Sequence, residues 1–362
     1  MRVVLTGIYN ASDIRTGSEE VAVSVFREMQ KRTETYFVTK YSMIKPHTLW
    51  EKFFGYKQSG NLYYAGFFKL ARVIRQLNPD ILHGINYDPF VGLLFWWFYR
   101  KKVKIHYTLH GVIAYENSRK PYLSGWFKFS RSVTERMIIR YSHSFAFYSK
   151  RIYRQAKQHY PFISECISYT QNGLSSFFYN RFPERVESSG PLHIVAHGGL
   201  MDRVKGIEVL FDALTGSGIR FKLTIVGDRE YLVTPKELRG SVTYTEKLAP
   251  DEYLKLVESC DLYICLSLLE SFSISSLEAM AMGCAVIVSE NAGISEYITD
   301  GVNGFVVSVE QPNLIRELLL RLNVRRELIR TVGCEAAKIR ENVNWGIAIA
   351  GYLRDYERLL HG

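Results

Sequence analysis

Short apolar runs alternate with stretches of helical periodicity along the whole chain, and this alternation limits the fold more than any other feature of the sequence. RVVLTG near the amino terminus is followed, after a loop, by SEEVAVSVFREMQKR, where Val21, Val25 and Met29 share one helical face, and then by TYFVTK. The chain therefore opens β-α-β, with Ser18 as the expected N-cap and Glu19 and Glu20 in the first turn. Further strands are expected in PDILHGI (79–85), KVKIHYTLHG (102–111), SFAFYSK (144–150) and ISYTQNG (167–173). The polar stretch RFPERVESSGP (181–191), with two prolines, reads as a linker. A second series follows: strand LHIVAHGG, a helix in which Ile207, Leu210, Phe211 and Leu214 repeat at i, i+3, i+4 and i+7, then strands FKLTIVG, VTYTEK, LYICLS, AVIVS and FVVS. Such alternation predicts an α/β fold of two doubly wound domains, each a parallel sheet covered by helices on both faces. A linker between two such domains leaves a central cleft, and ligands in these sheets bind at the carboxyl ends of the strands.

Composition closes off other classes. With 47% hydrophobic and 23% charged residues the chain is neither disordered, collagen-like nor a coiled coil. A chain of 362 residues buries enough surface to need no disulfide or metal staple. Cys166, Cys260, Cys265, Cys284 and Cys334 are an odd set without a CxxC pair, so free thiols and a reducing cytoplasm are expected. MRVVLTG lacks the features of a secretory signal. The longest apolar run, FVGLLFWWFY (90–99), is about half the ~20 residues that a spanning helix requires, so no membrane crossing is expected. Charge is divided unevenly: residues 1–190 hold 28 Lys/Arg against 13 Asp/Glu, and residues 191–362 hold 18 against 23. The basic half should attract something anionic, whether a phospholipid surface, a nucleic acid or a phosphorylated substrate.

The most informative stretch is LLESFSISSLEAMAMGCAVIVSENAGISEYITDGVNGFVV (268–307). Glu270 is expected to close a strand, the serine-rich turn Ser271 to Ser276 to start a helix, and Glu278 to lie within its first turns. That layout aims unpaired backbone N–H groups and the positive helix end at one place, which suits a diphosphate, with the two carboxylates as hydroxyl acceptors beside it. Followed by EAMAMGCAVIVS, the GISE turn and DGVNGFVV, the E-x7-E pair resembles that of the retaining glycosyltransferases of family 4, which have the GT-B fold of two Rossmann-like domains. The resemblance covers nearly the whole chain and is densest from 190 to 307.

The resemblance implies that Glu270 contacts the transferred sugar and Glu278 the nucleotide ribose. Lys205 in HGGLMDRVKG corresponds to the family's phosphate-binding lysine, a point charge for the donor diphosphate and the leaving group. Many members carry an arginine where this chain has Gly199; the nearby Arg203 fits two roles, supplying that charge or simply facing solvent. His110, ending KIHYTLH, corresponds to the family's histidine facing the transferred sugar; His83 in ILHGIN is a weaker candidate with a structural role as its default. Donor contacts are also expected from Ser271, Phe272, Ser273 and Ile274, from Leu248 after the strand VTYTEK, and from Gly17, which matches a glycine of the family's GG-x-E turn and equally fits a plain helix start. Asn172 and Gly173 match an NG turn and are read as structural, explained by positive φ. The implied domains are residues 1–188 on the acceptor side, 189–344 for the nucleotide sugar, and 345–362 as a helix crossing back to the first domain.

No Asp-x-Asp pair is present, so no metal and no cofactor are expected, the lysine and helix dipole replacing a cation on the diphosphate. No GxGxxG follows either opening strand, and neither a Walker A sequence nor a GxSxG elbow occurs. WEKFFGYK (50–57), YYAGFFKLARVIR (63–75), FYRKKVK (98–104) and RKPYLSGWFKFSR (119–131) mix Lys/Arg with aromatics, as suits the headgroup region of an anionic bilayer. No nucleic-acid module is recognisable. The expected function is sugar transfer from a nucleotide diphosphate, UDP by default, to a lipid-linked or envelope glycan acceptor, as in polysaccharide or lipopolysaccharide biosynthesis, at the inner face of the cytoplasmic membrane. Alternatives are an epimerase of the same fold, a soluble-acceptor synthase and a noncatalytic binding protein. The sugar, linkage and oligomeric state are not encoded legibly.

Overall fold

The computed structural model describes residues 1–12, 15–45, 47–101, 103–119, 123–179, 190–198, 203–227 and 232–362. Met1–Gly173 with Trp345–Gly362 form one compact unit and Leu174–Asn344 the other.

In the first unit the strands are β1 (Arg2–Thr6), β2 (Glu34–Lys40), β3 (Tyr56–Ser59), β4 (Leu62–Ala65), β5 (Ile81–Gly84), β6 (Lys104–Leu109), β7 (Ser144–Phe147) and β8 (Ile167–Tyr169). They form one sheet in the order β3-β4-β2-β1-β5-β6-β7-β8, parallel throughout except for the β3–β4 hairpin. Between them run α1 (Gly17–Gln30), α2 (Leu49–Phe54), α3 (Phe67–Leu77), α4 (Val91–Tyr99), α5 (Ile113–Arg119), α6 (Gly125–Tyr141) and α7 (Lys150–His159). Val3, Val4 and Leu5 of the central β1 are fully buried, as a strand covered on both faces requires. The cap of α1 is Thr16, not Ser18: the Thr16 backbone N–H donates to the Glu19 carboxylate at 2.8 Å, the reach-back of a capping box.

The second unit contains β9 (Leu192–His197), β10 (Phe221–Val226), β11 (Val242–Thr245), β12 (Leu262–Cys265), β13 (Ala285–Ser289) and β14 (Phe305–Val307), all parallel, in the order β11-β10-β9-β12-β13-β14. Its helices are α8 (Ser176–Tyr179), α9 (Ile207–Leu214), α10 (Pro250–Ser259), α11 (Ile274–Ala281), α12 (Pro312–Val324), α13 (Arg326–Ala336) and α14 (Ile339–Asn342). The face of α9 formed by Ile207, Leu210, Phe211 and Leu214 is buried on the sheet, each side chain contributing about 1.5–3 kcal/mol. Cys260, Cys265 and Cys284 are buried free thiols, whereas Cys166 and Cys334 are exposed. The division at 173/174 precedes the expected 188/189 boundary because α8 is already packed into the second unit. Phe178 meets the Tyr253 ring edge-on, and the Tyr179 carbonyl accepts from Arg340 at 3.0 Å.

The last helix, α15 (Trp345–His361), belongs to the first unit. Its Tyr356 hydroxyl pairs with His83 Nδ1 at 2.5 Å, and its Tyr352 hydroxyl accepts from Thr108, which also meets His83 Nε2 at 2.8 Å. His83 is fully buried, and burial beside His106 and His110 pushes its pKa well down, so it is a neutral histidine with both nitrogens bonded, in the structural role. Gly173 is also structural, but through close approach rather than positive φ: a Cβ there would lie 2.3 Å from the Trp345 ring.

Candidate functional site

Each sheet reverses its direction of growth at one place, and there the loops diverge and leave room for a ligand. In the second unit this place lies between β9 and β12. The loop after β9 ends in a single 3-10 turn, Arg203–Lys205, and the loop after β12 leads to α11. Two features lock these loops together. The Leu268 N–H donates to the Val204 carbonyl at 2.7 Å. Gly206, with φ 67°, passes so close to the Leu266 carbonyl that a Cβ would sit 2.0 Å from its oxygen. Only glycine meets both the left-handed backbone and the absence of space.

Held in this way, Lys205 Nζ donates to Glu270 Oε2 at 2.5 Å, an ion pair with both side chains partly exposed. Glu270 does not close a strand, since β12 ends at Cys265; it makes one parallel bridge with Ala292. The Gly293 N–H donates to the Glu270 carbonyl at 3.1 Å and the Ile294 N–H to the Phe272 carbonyl at 2.7 Å, so the Glu270–Phe272 backbone is tied on one side. Ser271 is half-buried, and Phe272 is buried against the Tyr297 ring. Ser273 has φ 83°, a strained conformation for a residue with a Cβ, and caps α11 with its Oγ toward the Ser276 N–H. Ile274 begins the helix, and the half-buried Glu278 lies in its second turn. Lys205, Glu270, the 271–274 backbone and Glu278 thus gather around one helix start at the switch point.

The other expected donor residues are less gathered. Leu248 is half-buried beyond the end of β11, two strands away from β9. Arg203 opens the 3-10 turn, its side chain lying outside the described part, and Gly199 falls outside the described residues. Gly17 is the exposed first residue of α1, in the first unit.

His110 also belongs to the first unit, at the end of β6 beside β5. Its Nε2 donates to the Ile85 carbonyl at 2.7 Å, and its ring packs on Tyr148 with centroids 4.8 Å apart. Burial pushes its pKa down to about 4, opposed by the Ile85 bond and Glu116. The imidazole is therefore neutral near pH 7, with Nδ1 as its acceptor nitrogen. Nearby, Asn86 accepts from the Ile8 N–H at 2.7 Å and donates to the carbonyls of Ile8 and Ser18, fastening the loop after β1 to the start of α1.

Sequence reading missed a polar chain beneath the second-unit site. His197, the last residue of β9, meets the Tyr263 hydroxyl at 2.7 Å, and Tyr263 donates to Ser275 Oγ in the first turn of α11, also at 2.7 Å. Burial, then the charges of Lys205 and Lys247, push the His197 pKa down to about 3. A signal was available: His197 ends LHIVAH as His110 follows KIHYTL, each at a strand's carboxyl end. Among the described residues no group of three or more His, Cys, Asp or Glu side chains is placed to hold a metal ion.

The basic aromatic segments divide between core and surface. Tyr64 and Leu70 are buried, whereas Trp50, Phe68 and Trp126 are 70%, 61% and 78% exposed. Trp50, Phe54 and Phe68 form a row of neighbouring rings across α2 and α3, with centroid distances of 4.2 and 5.2 Å. No described helix is long and apolar enough to cross a membrane.

Each unit carries a parallel, helix-covered sheet of the Rossmann type, and two such domains make up the GT-B fold. The family model Glycosyltransferase Family 4 matches residues 16–175 and the model Glycosyl transferases group 1 matches residues 181–345, and the chain belongs to that family. Among curated relatives, an uncharacterized glycosyltransferase of Methanocaldococcus jannaschii is 27% identical over 43% of this chain and 45% of its own length. The N-acetyl-alpha-D-glucosaminyl L-malate synthase of Bacillus anthracis is 25% identical over 76% of this chain and 72% of its own. The N,N'-diacetylbacillosaminyl-diphospho-undecaprenol alpha-1,3-N-acetylgalactosaminyltransferase of Campylobacter jejuni is 26% identical over 43% of this chain and 42% of its own. The match to the first and third of these spans less than half the length of each relative. Two solved structures share the fold: sucrose-phosphate synthase from Thermosynechococcus elongatus (TM-score 0.74, 16% identity, 99% of this chain and 98% of that one) and Anabaena HepE in complex with UDP and glucose (TM-score 0.69, 16% identity, 99% and 100%).

Proposed function

We propose that this glycosyltransferase moves a sugar from a UDP-sugar to a hydroxyl of a lipid-linked or envelope glycan acceptor, with retention of configuration and without a metal, at the inner face of the cytoplasmic membrane. The observation that carries the reading is the pairing of Lys205 with Glu270 at the start of α11, on the carboxyl edge of the second sheet. A diphosphate arriving there takes over the Lys205 ammonium and the amides of the 271–274 turn, which stabilise the charge that grows as the sugar–phosphate bond breaks. Glu270, released from the lysine, orients the sugar hydroxyls, and Glu278 holds the ribose. His110 offers a neutral acceptor nitrogen to the reacting sugar. The acceptor proton passes to the departing phosphate oxygen on the face of attack, so no separate protein base is needed.

UDP as the base is supported by the ligand named for HepE, and a lipid-linked acceptor by the undecaprenol in the name of the Campylobacter relative. The excess of Lys/Arg in residues 1–190 and the exposed ring row of α2 and α3 support contact with an anionic bilayer. A soluble acceptor is the second reading, favoured by the malate synthase that aligns over most of this chain. The test is nucleotide release from a panel of UDP-, GDP- and ADP-sugars in EDTA, with and without a membrane lipid extract. Release from a UDP-sugar that rises with lipid is expected. Release that needs a divalent cation would refute the metal-free mechanism, and release driven by a soluble sugar or malate but indifferent to lipid would move the acceptor to the second reading. For the membrane claim, binding to vesicles containing phosphatidylserine should fall when four or five first-unit lysines are removed; absent binding by the unaltered protein at low salt would refute it.

A further inference from the structure

The scheme above gives no task to Glu135, although this carboxylate is built into the turn that carries His110. Glu135 lies on α6 and is 2% exposed. The backbone N–H of Ile113 donates to both of its oxygens, at 2.9 and 3.0 Å, and the Tyr160 hydroxyl donates to Oε2 at 2.7 Å. Ile113 is the first residue of α5 and comes three positions after His110. The turn His110-Gly111-Val112 is thus fastened at both ends, by His110 Nε2 to Ile85 before it and by Ile113 to Glu135 after it.

The groups around the carboxylate are the Tyr160 hydroxyl beyond α7, Tyr107 of β6, Tyr87 ahead of α4, Glu116 of α5, and Arg131 and Arg136 of α6. Arg131 is engaged elsewhere, with Glu116 at 2.6 Å and the Asn117 side-chain oxygen at 2.9 Å. Glu135 is therefore held by donors, an amide and a phenol. The ionised carboxylate satisfies both; a protonated one brings an O–H of its own against them. Burial pushes its pKa up to about 7, with Tyr160 and Ile113 pulling the other way.

The geometry points to Glu135 as a positioning residue for His110: its ionised carboxylate fixes the turn after β6 and with it the His110 ring, and protonation loosens that turn. This rests on the reading of His110 as a member of the transfer site. The test is 15N NMR of the histidine rings between pH 5.5 and 8.5 in the intact protein, in its Glu135→Gln variant, which keeps the shape and removes the charge, and in His110→Ala, whose missing signal assigns the resonance. The His110 signal should shift with a midpoint near pH 7, a step that disappears in Glu135→Gln. Turnover of the UDP-sugar found active should fall roughly tenfold or more in Glu135→Gln, with KM within about twofold, as displacement of a positioned group does. The same pH step should mark kcat in the unaltered protein only. Absence of the step in the unaltered protein, its survival in the glutamine variant, or wild-type kcat in that variant overturns the proposal. Full turnover by His110→Ala, with the NMR step present in the unaltered protein and lost in Glu135→Gln, would instead overturn the role given to His110.

Discussion

Replacing Gly206 by alanine measures how tightly the loop that carries Lys205 is held. Two costs apply. The residue has φ 67°, and a left-handed backbone costs a residue with a Cβ about 1–2 kcal/mol. The added carbon would also stand 2.0 Å from the Leu266 carbonyl oxygen, 2.8 Å from its carbon and 3.1 Å from the Leu266 Cβ. Relief requires backbone at the end of β12 to move, and overpacking of this kind costs typically about 1–3 kcal/mol. The expected loss is about 2–5 kcal/mol, read by urea denaturation. Gly216 supplies the control, because its φ is 69° and nothing lies within 4 Å of its Cβ position. Gly216→Ala should show the backbone cost alone, and the difference of about 1–3 kcal/mol between the two variants isolates the contact with Leu266. Gly206→Ala should also weaken UDP binding, because Lys205 is the preceding residue, while Gly216→Ala should leave it unchanged. Equal losses of stability at the two positions would refute the close approach and the account of how Lys205 is set.

The two glutamates should separate by assay: Glu278→Ala raises the Kd for UDP about tenfold or more by calorimetry, the scale of a lost charged hydrogen bond, while Glu270→Ala lowers turnover more than affinity. Full transfer by both variants would mean the site is elsewhere. Tyr356→Phe removes the hydroxyl that meets His83 Nδ1 and leaves a buried nitrogen unpaired, so denaturation should show a loss of about 1–3 kcal/mol, and no loss would contradict the role of α15. Glu135 gives a pH signature in stability. Its folded pKa of about 7 lies above the ordinary 4.5, so the native state holds the extra proton, the contribution is fully present below pH 4.5, and it is lost as pH rises through 7. Against Glu135→Gln, the unaltered protein should lose up to about 3 kcal/mol of relative stability between pH 5 and 8, whereas a flat difference would show that the carboxyl is not desolvated.

The fold was legible where periodicity and burial agree. A strand covered on both faces must be almost entirely apolar, and β1, β5, β7, β9, β12 and β13 were visible for that reason. The β3–β4 hairpin was not, because all four residues of β3 are exposed and carry no alternation. Its segment reads from sequence only as a basic aromatic stretch. The compact units divide at 173/174, ahead of the expected 188/189, for a different reason. Proline and polar residues mark 181–191 as a linker, but the packing of Phe178 on Tyr253 depends on a partner far along the chain.

Within the site, legibility follows the distance along the chain over which a role is defined. Glu270, Ser273 and Glu278 are placed by one turn and one helix, and an eight-residue spacing conveys that. The Lys205–Glu270 pair joins residues 65 positions apart, and no spacing rule brings them together. What brings them together is strand order. With β9 adjacent to β12, the loops that follow these strands must leave the sheet side by side, and the bond from Leu268 to Val204 and the close pass of Gly206 set their distance. The chain from His197 through Tyr263 to Ser275 has the same origin, since it links the end of β9, the interior of β12 and the start of α11. His110 and His197 are equivalent in sequence, each a histidine at a strand's carboxyl end, and differ in what they touch. His110 spends one nitrogen on a carbonyl and keeps an acceptor, whereas His197 is tied through a phenol to the helix start. Residue type and position in the strand therefore nominate both, and only the neighbouring strand assigns them different work.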